Sequence, residues 1–272
     1  MAPVTGTPAG PEPAEVRQQR ITALVEEQGF VRVSDLSARF GVSTVTVRTD
    51  LQSLESHGRV RRIRGGAMPP GIQRSEQPFE VAEHDLAAEK AAIGQCAAGL
   101  VADGDTVLLD VGTTTTAIAR ALVARSELRE VTVVTNGLTV ALVLERAWPR
   151  ISVVVTGGTL RRLQHSLVNP LGTVLLDQLN ASIAFIGCNG VDVRGGVTNV
   201  NLPEAEVKRA MLLSARRPVV VADGSKLGVV EVAKICDLAE VSLVVTDSSA
   251  DPSILADLAT VACDVQVAEH AR

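Results

Sequence analysis

The chain has 272 residues, 46% of them hydrophobic, and a formal net charge of −5; at about 150 residues per domain, that length points to two domains. Aromatic residues make up only 2% and tyrosine is absent, so the core must be aliphatic. This argues against stacking platforms for single-stranded nucleic acid, which need aromatic faces. The charge is uneven: residues 1–70 hold nine arginines against seven acids, and the remainder holds 17 basic and 24 acidic residues. Such a balance suits an acidic body with one end that meets a polyanion.

Four cysteines, Cys96, Cys188, Cys236 and Cys263, form no C-x-x-C pair and have no histidine nearby. Buried thiols are expected in preference to disulfides or a metal site, and no metal or cofactor is expected. The opening MAPVTGTPAGPEPAE has neither the basic start nor the apolar run of a signal peptide. Apolar runs elsewhere fall far below the ~18 residues of a membrane span. The sequence therefore reads as cytoplasmic, with no membrane partner.

In chain order, residues 1–13 are rich in Pro and Gly and are expected to be disordered. A helix is predicted from Ala14 to Gln28, with Val16, Ile21, Leu24 and Val25 on one face and Gly29 ending it. FVRV, residues 30–33, reads as extended. Ser34 is placed to cap a second helix, Asp35 to Phe40, which Gly41 ends; two residues later Ser43 can cap a third. In that third helix Val47, Leu51 and Leu54 form the inward stripe, and Val42 and Val47 have the spacing of a hydrophobic staple. Facing outward are Thr44, Thr46, Arg48, Thr49 and Gln52. Two helices joined by a tight glycine turn make a helix-turn-helix, and these outward residues can read base edges and phosphates from a major groove.

GRVRRIRGGA, residues 58–67, follows. Gly58 ends the helix, an alternating strand carries Arg59, Arg61, Arg62 and Arg64, Gly65 and Gly66 allow a reversal, and no acid occurs between Ser56 and Ala67. This reads as a β-wing that takes arginines to phosphates or a minor groove. An arginine run alone is more often a solvated face; the closely spaced capped helices before it favour the DNA reading. Residues 17–67, above all VSTVTVRTDLQSLESHGRVRRIRGGA, resemble the winged helix-turn-helix of the DeoR family of bacterial transcriptional regulators. One departure is Thr49, where many members carry a second arginine after the one matched by Arg48.

The predicted organisation is thus a tail (1–13), a winged helix-turn-helix (14–70), an extended linker of mixed polarity (71–88) and an α/β domain (89–272). Strands are predicted at Thr106 to Asp110, Val131 to Thr135, Ile151 to Thr156, Ile183 to Gly187, Pro218 to Ala222 and Val241 to Thr246. Helical patterns between them include Ala117 to Val123, Leu138 to Glu145 and Pro203 to Ala215. Unalternating, Val-rich strands separated by helices indicate a parallel sheet covered on both faces. Ligands of such sheets bind beyond the carboxyl ends of the strands. There the chain places GTTTT after Asp110, TNG at 135–137, Gly157 and Gly158, CNGVD at 188–192 and ADGSK at 222–226. Gly112 would let the backbone approach a ligand, and the threonines at a helix start suit phosphate. Each loop alone fits ordinary turn chemistry. Neither G-x-x-x-x-G-K-[ST] nor G-x-G-x-x-G occurs.

DVGTTTTAIARAL, VTVVTNGL, VTGGTLRR, AFIGCNGVD and VVVADGSKLG resemble the DeoR family's C-terminal effector domain, similar in fold to ribose-5-phosphate isomerase and the CoA transferases. The resemblance implies a phosphorylated sugar effector. Gly112, Thr113, Thr114 and Thr115 would hold its phosphate, with Lys208 and Lys226 as countercharges, Asn136 and Asp192 on sugar hydroxyls, and Gly157 and Gly158 on the same edge. The isomerases draw acids from a turn that NGVD matches here, where Asn189 cannot act as a base. Glu204 and Glu206 read as surface acids, and His165 beside Ser166 has no evident orienting acid, so no catalysis is expected. The reading is a repressor of sugar or carbon metabolism genes, a homodimer or tetramer on double-stranded operator DNA. Its rivals are a sugar-phosphate isomerase or transferase with a vestigial DNA-binding domain, and a nucleic-acid-binding module indifferent to metabolites.

Overall fold

The computed structural model describes residues 13–28, 31–57, 59–63, 65–68, 76–261 and 263–269. The expectations placed on residues 1–12, Gly29, Gly58, Arg64 and residues 69–75 lie outside the described residues. The chain divides into two compact units, Met1–Arg74 and Ser75–Arg272.

The first unit runs α1 (Ala14–Gln28), β1 (Val31–Arg32), α2 (Val33–Phe40), α3 (Thr44–Ser56), β2 (Arg61–Ile63) and β3 (Gly66–Met68). Ile21, Leu24, Val25, Leu36, Val47, Leu51 and Leu54 enclose its core, with Val42 packed against it. The strands form a small antiparallel sheet in the order β1-β3-β2. Two local expectations are corrected. Val16 is 44% exposed, and Arg17 is buried instead, because its guanidinium meets Asp50 of α3. Helix α2 starts at Val33, not after a Ser34 cap. The Val33 side chain is buried and its N–H donates to the Gly65 carbonyl at 2.8 Å, so the wing sets where this helix begins.

The second unit contains α4 (Phe79–His84), α5 (Ala87–Ala98), β4 (Thr106–Leu109), α6 (Thr113–Ala124), β5 (Val131–Thr135), α7 (Leu138–Leu144), β6 (Ile151–Val155), β7 (Thr159–Arg161), β8 (Ser166–Val168) and α8 (Leu171–Leu176). It continues with β9 (Ala181–Gly187), β10 (Gly190–Asp192), β11 (Gly196–Asn199), α9 (Leu202–Leu213), β12 (Ala215–Val221), β13 (Ala233–Cys236), β14 (Leu243–Asp247), α10 (Pro252–Leu258) and β15 (Asp264–Ala268). Seven strands form one parallel sheet in the order β15-β14-β12-β9-β4-β5-β6. Successive side chains alternate between its faces. Val107, Leu109, Ile183 and Phe185 pack with Ile93, Ile118, Leu122 and Val140 of the helices on one side. Leu108, Ala184, Ile186 and Val220 pack with Val207 and Met211 of α9 on the other. Both faces are therefore covered, which is why the strands read as continuous apolar runs.

Residues 76–88 are not an extended linker: they hold α4 and the start of α5, with Phe79 buried. Helix α6 starts at Thr113, so the threonines are its first turn. From β4 the strand order proceeds through β5 and β6 to one edge, and from β9 through β12, β14 and β15 to the other. The order reverses between β4 and β9, the place where open α/β sheets form a ligand crevice beyond the strand ends.

Candidate functional site

Helix α3 is built to present one face. The Thr46 N–H donates to Ser43 Oγ at 3.1 Å, closing the cap. Val47, Leu51 and Leu54 face inward. Asp50 also faces inward and is satisfied by Arg17 Nε at 2.6 Å, Arg17 Nη2 at 3.1 Å and Gln18 Nε2 at 3.0 Å. Ser43, Thr44, Arg48, Thr49 and Gln52 are exposed, and Thr46 is half-buried. Val45, absent from the sequence reading, joins them at 67% exposure; an apolar side chain on such a face suits a thymine methyl. In the wing, Arg59 and Arg62 are exposed, and the Arg62 N–H donates to Glu55 Oε1 at 2.8 Å, tying β2 to the end of α3. Arg61 lies in β2, and Arg64 is outside the described residues.

At the switch point of the second unit β4 is followed directly by Asp110, whose side chain is wholly enclosed. Its Oδ2 accepts from the Gly187 N–H at 3.1 Å and from Lys208 Nζ, while Oδ1 has no hydrogen-bond partner among the described residues. Burial pushes the Asp110 carboxyl above its ordinary range, against the pull of Lys208. Burial also works against the Lys208 charge, but Asp110 and Glu204 outweigh it and hold the ammonium above its ordinary range. Gly112 has φ 143°, a conformation that favours glycine. Its carbonyl accepts from the Thr116 N–H at 2.9 Å, Thr116 Oγ1 at 2.7 Å and Thr115 Oγ1 at 3.0 Å.

Thr115 is therefore turned inward, and its hydroxyl closes the turn. Thr113 and Thr114 are half-buried, and their hydroxyls make no hydrogen bond among the described residues. Together with the first amides of a 12-residue helix they form a rim of unpaired donors at the carboxyl end of β4, a chemistry that suits an anion. Lys226 is half-buried in the short turn after β12 and makes no ion pair among the described residues. The Cys188 thiol is pushed up to about 12 by burial, which outweighs the pull of Lys208 and Lys226.

Other expected contacts hold the backbone. Asn136 is buried; its Oδ1 accepts from the Val111 N–H at 2.9 Å and its Nδ2 donates to the Leu167 carbonyl at 3.5 Å. Asp192 Oδ1 accepts from the Arg194 and Gly195 N–H groups, closing the β10–β11 turn. At Gly158 an added Cβ would stand 2.2 Å from the Val168 carbonyl oxygen, so the backbone there needs glycine; its neighbour Gly157 has φ 75°.

Residues 17–70 match the DeoR-like helix-turn-helix domain, and residues 86–248 match the DeoR C terminal sensor domain. The chain belongs to the DeoR family. The family is one of DNA-binding transcriptional regulators, and this chain is such a regulator rather than an enzyme. The HTH-type transcriptional regulator GlpR of Haloferax volcanii is 36% identical over 239 residues, covering 88% of this chain and 91% of its own. The glycerol-3-phosphate regulon repressor of Haemophilus influenzae is 30% identical over 231 residues, covering 85% and 88%. Among solved structures, a ribose-5-phosphate isomerase in complex with phospho-erythronic acid aligns with a TM-score of 0.38 at 17% identity, over 50% of this chain and 52% of that one.

Two features of this DeoR sensor domain escaped the sequence reading. Glu204 is buried, not a surface acid: its Oε1 accepts from Ser166 Oγ at 2.5 Å and from Arg161 Nη1 at 2.9 Å. Glu206, by contrast, is exposed and takes a hydrogen bond from Asn169. His165 does have acid company, with Nε2 3.2 Å from Glu80 Oε1 and Nδ1 3.0 Å from Thr139 Oγ1. Only the E-x-x-x-K spacing of Glu204 and Lys208, one turn apart on a helix, hinted that the two share a face.

Proposed function

We propose that this regulator is a repressor of carbon-metabolism genes whose operator affinity is set by a phosphorylated sugar bound at the switch point of its sensor sheet. The observation that carries this reading is the rim at the start of α6, where free amides and the Thr113 and Thr114 hydroxyls stand at the switch point and Lys226 makes no ion pair among the described residues. A helix N-terminus with adjacent hydroxyls and a cation suits a phosphate dianion. The relative named for the glycerol-3-phosphate regulon supports a small phosphorylated metabolite as the ligand class.

On the DNA side, Ser43 to Gln52 would enter the major groove with Arg48 on base edges or phosphates, and Arg59, Arg61, Arg62 and Arg64 would clamp the backbone. One small reading head gives modest operator affinity, so two heads in a homodimer, or a tetramer built from such pairs, are proposed. The site of action is the cytoplasm, where operator DNA is found; among the described residues no helix is long and apolar enough to cross a membrane.

Fluorescence anisotropy on DNA flanking the protein's own gene, at fixed salt, tests the reading with glycerol 3-phosphate, glucose 6-phosphate, fructose 6-phosphate, ribose 5-phosphate and their unphosphorylated parents. A shift in affinity with a phosphorylated compound and none with its parent is expected. DNA binding that no compound alters would remove the sensor reading.

A further inference from the structure

The segment that opens the sensor unit is fastened along its length to the β7–β8 hairpin. Arg161 Nη1 donates to Glu76 Oε1 at 3.0 Å and Nη2 donates to Glu76 Oε2. Gln164 Nε2 donates to the Gln77 carbonyl at 2.6 Å, and the Phe79 N–H donates to the Leu163 carbonyl at 2.9 Å. Glu80 faces His165, whose ring lies 5.3 Å from that of Phe79 between centroids.

The same hairpin is fastened to the switch-point site. Arg161 and Ser166 both bond Glu204, one turn before Lys208 on α9. The Leu138 N–H donates to the His165 carbonyl at 3.0 Å, and the Leu167 N–H donates to the Asn136 carbonyl at 2.8 Å. Asn136 in turn holds the Val111 N–H, beside Gly112. One guanidinium thus serves two mostly buried carboxylates, one on the site helix and one at the start of the unit.

We propose that the β7–β8 hairpin, with Arg161 as its positioning residue, carries the state of the effector site to residues 76–85, the segment that follows directly on the chain coming from the DNA-binding unit. This rests on the effector reading above. An anion at Thr113 and Thr114 competes with Asp110 and Glu204 for the field of Lys208, and Arg161 redistributes its donors between Glu204 and Glu76. An effector that favours one distribution biases the segment with the free energy by which it prefers that arrangement.

The test uses hydrogen–deuterium exchange and the anisotropy titration on the full chain, with the same four sugar phosphates as probes. In the wild type, a compound that protects residues 112–116 is expected to change exchange in residues 159–168 and 76–85 as well. In Glu76→Gln, protection at 112–116 and DNA affinity without effector stay as in the wild type, residues 76–85 no longer respond, and the effector-induced change in affinity shrinks about fivefold or more. Arg161→Lys, which keeps a cation but loses the fork, gives a partial loss and guards against a folding defect in the first variant. Protection at 112–116 with 76–85 unchanged in the wild type overturns the coupling alone, as does a full response in Glu76→Gln. If no compound protects 112–116, the effector reading fails and the coupling falls with it.

Discussion

Arg17 and Asp50 stand 33 positions apart in sequence and form an enclosed ion pair in the DNA-binding unit. Removing one partner of a buried pair exposes the desolvation cost of the other. Asp50→Ala is expected to destabilise that unit by about 3 kcal/mol, read from the urea midpoint of its transition; an unchanged midpoint would show that the pair is dispensable. The threonines after β4 differ from one another in the same residue-level way. Thr115 and Thr116 spend their hydroxyls on the Gly112 carbonyl, whereas Thr113 and Thr114 remain available. Because a hydrogen bond to a charged group contributes about 1.5–3 kcal/mol, Thr114→Val is expected to weaken effector binding by about tenfold or more. DNA affinity without effector should hold, and a wild-type effector affinity in this variant would take Thr114 out of the site.

Among the elements, α3 depends most on its first turn, where Ser43 accepts the Thr46 N–H and also meets Thr46 Oγ1 at 2.9 Å. Ser43→Ala should cost about 1 kcal/mol and loosen the turn that carries Thr44 and Val45, so operator affinity falls while the rest of the fold persists. Unaltered operator affinity would argue that this turn does not read DNA. At the other end of the chain, α10 is capped by Asp251, which accepts the Ser253 N–H at 2.8 Å. Hydrogen bonds from the Ser253 side chain and backbone hold its carboxyl below the ordinary 3.8. The unfolded chain therefore takes up this proton first: the cap's contribution is present above 3.8 and is lost as the pH falls through the lower folded value. Asp251→Asn should lose less stability than the wild type between about pH 5 and pH 3, measured by urea unfolding. Equal losses would show that the cap does not contribute.

At the scale of the whole molecule, the split of charge has a kinetic and thermodynamic consequence. The first 70 residues hold nine arginines against seven acids and the remainder is net acidic, a split that would direct DNA to the proposed reading head and wing. Each arginine that neutralises a phosphate adds about 0.9 to the steepness of log affinity against log salt. Arg59→Ala is therefore expected to weaken binding evenly across DNA sequences and to reduce that slope by about one; an unchanged slope would place Arg59 away from the phosphates.

Much of the architecture was legible in the chain. Helix α1 spans the predicted residues, Ser43 and Gly41 act where their chemistry puts them, and the Val-rich runs are strands of the parallel sheet. These features follow from periodicity, caps and turn residues, which act within a few residues and are written in local sequence. The tertiary structure decided which polar groups are enclosed and what they meet. Lys208 reaches Asp110 across 98 positions and Arg161 reaches Glu204 across 43, so no local pattern marks Glu204 as buried or Lys208 as paired. Phe79 likewise turns a supposed linker into a docked helix by finding Leu163 and His165. The physical reason is range: backbone preference is settled by near neighbours, whereas the cost of burying a charge is settled by whatever partner the completed fold brings to it.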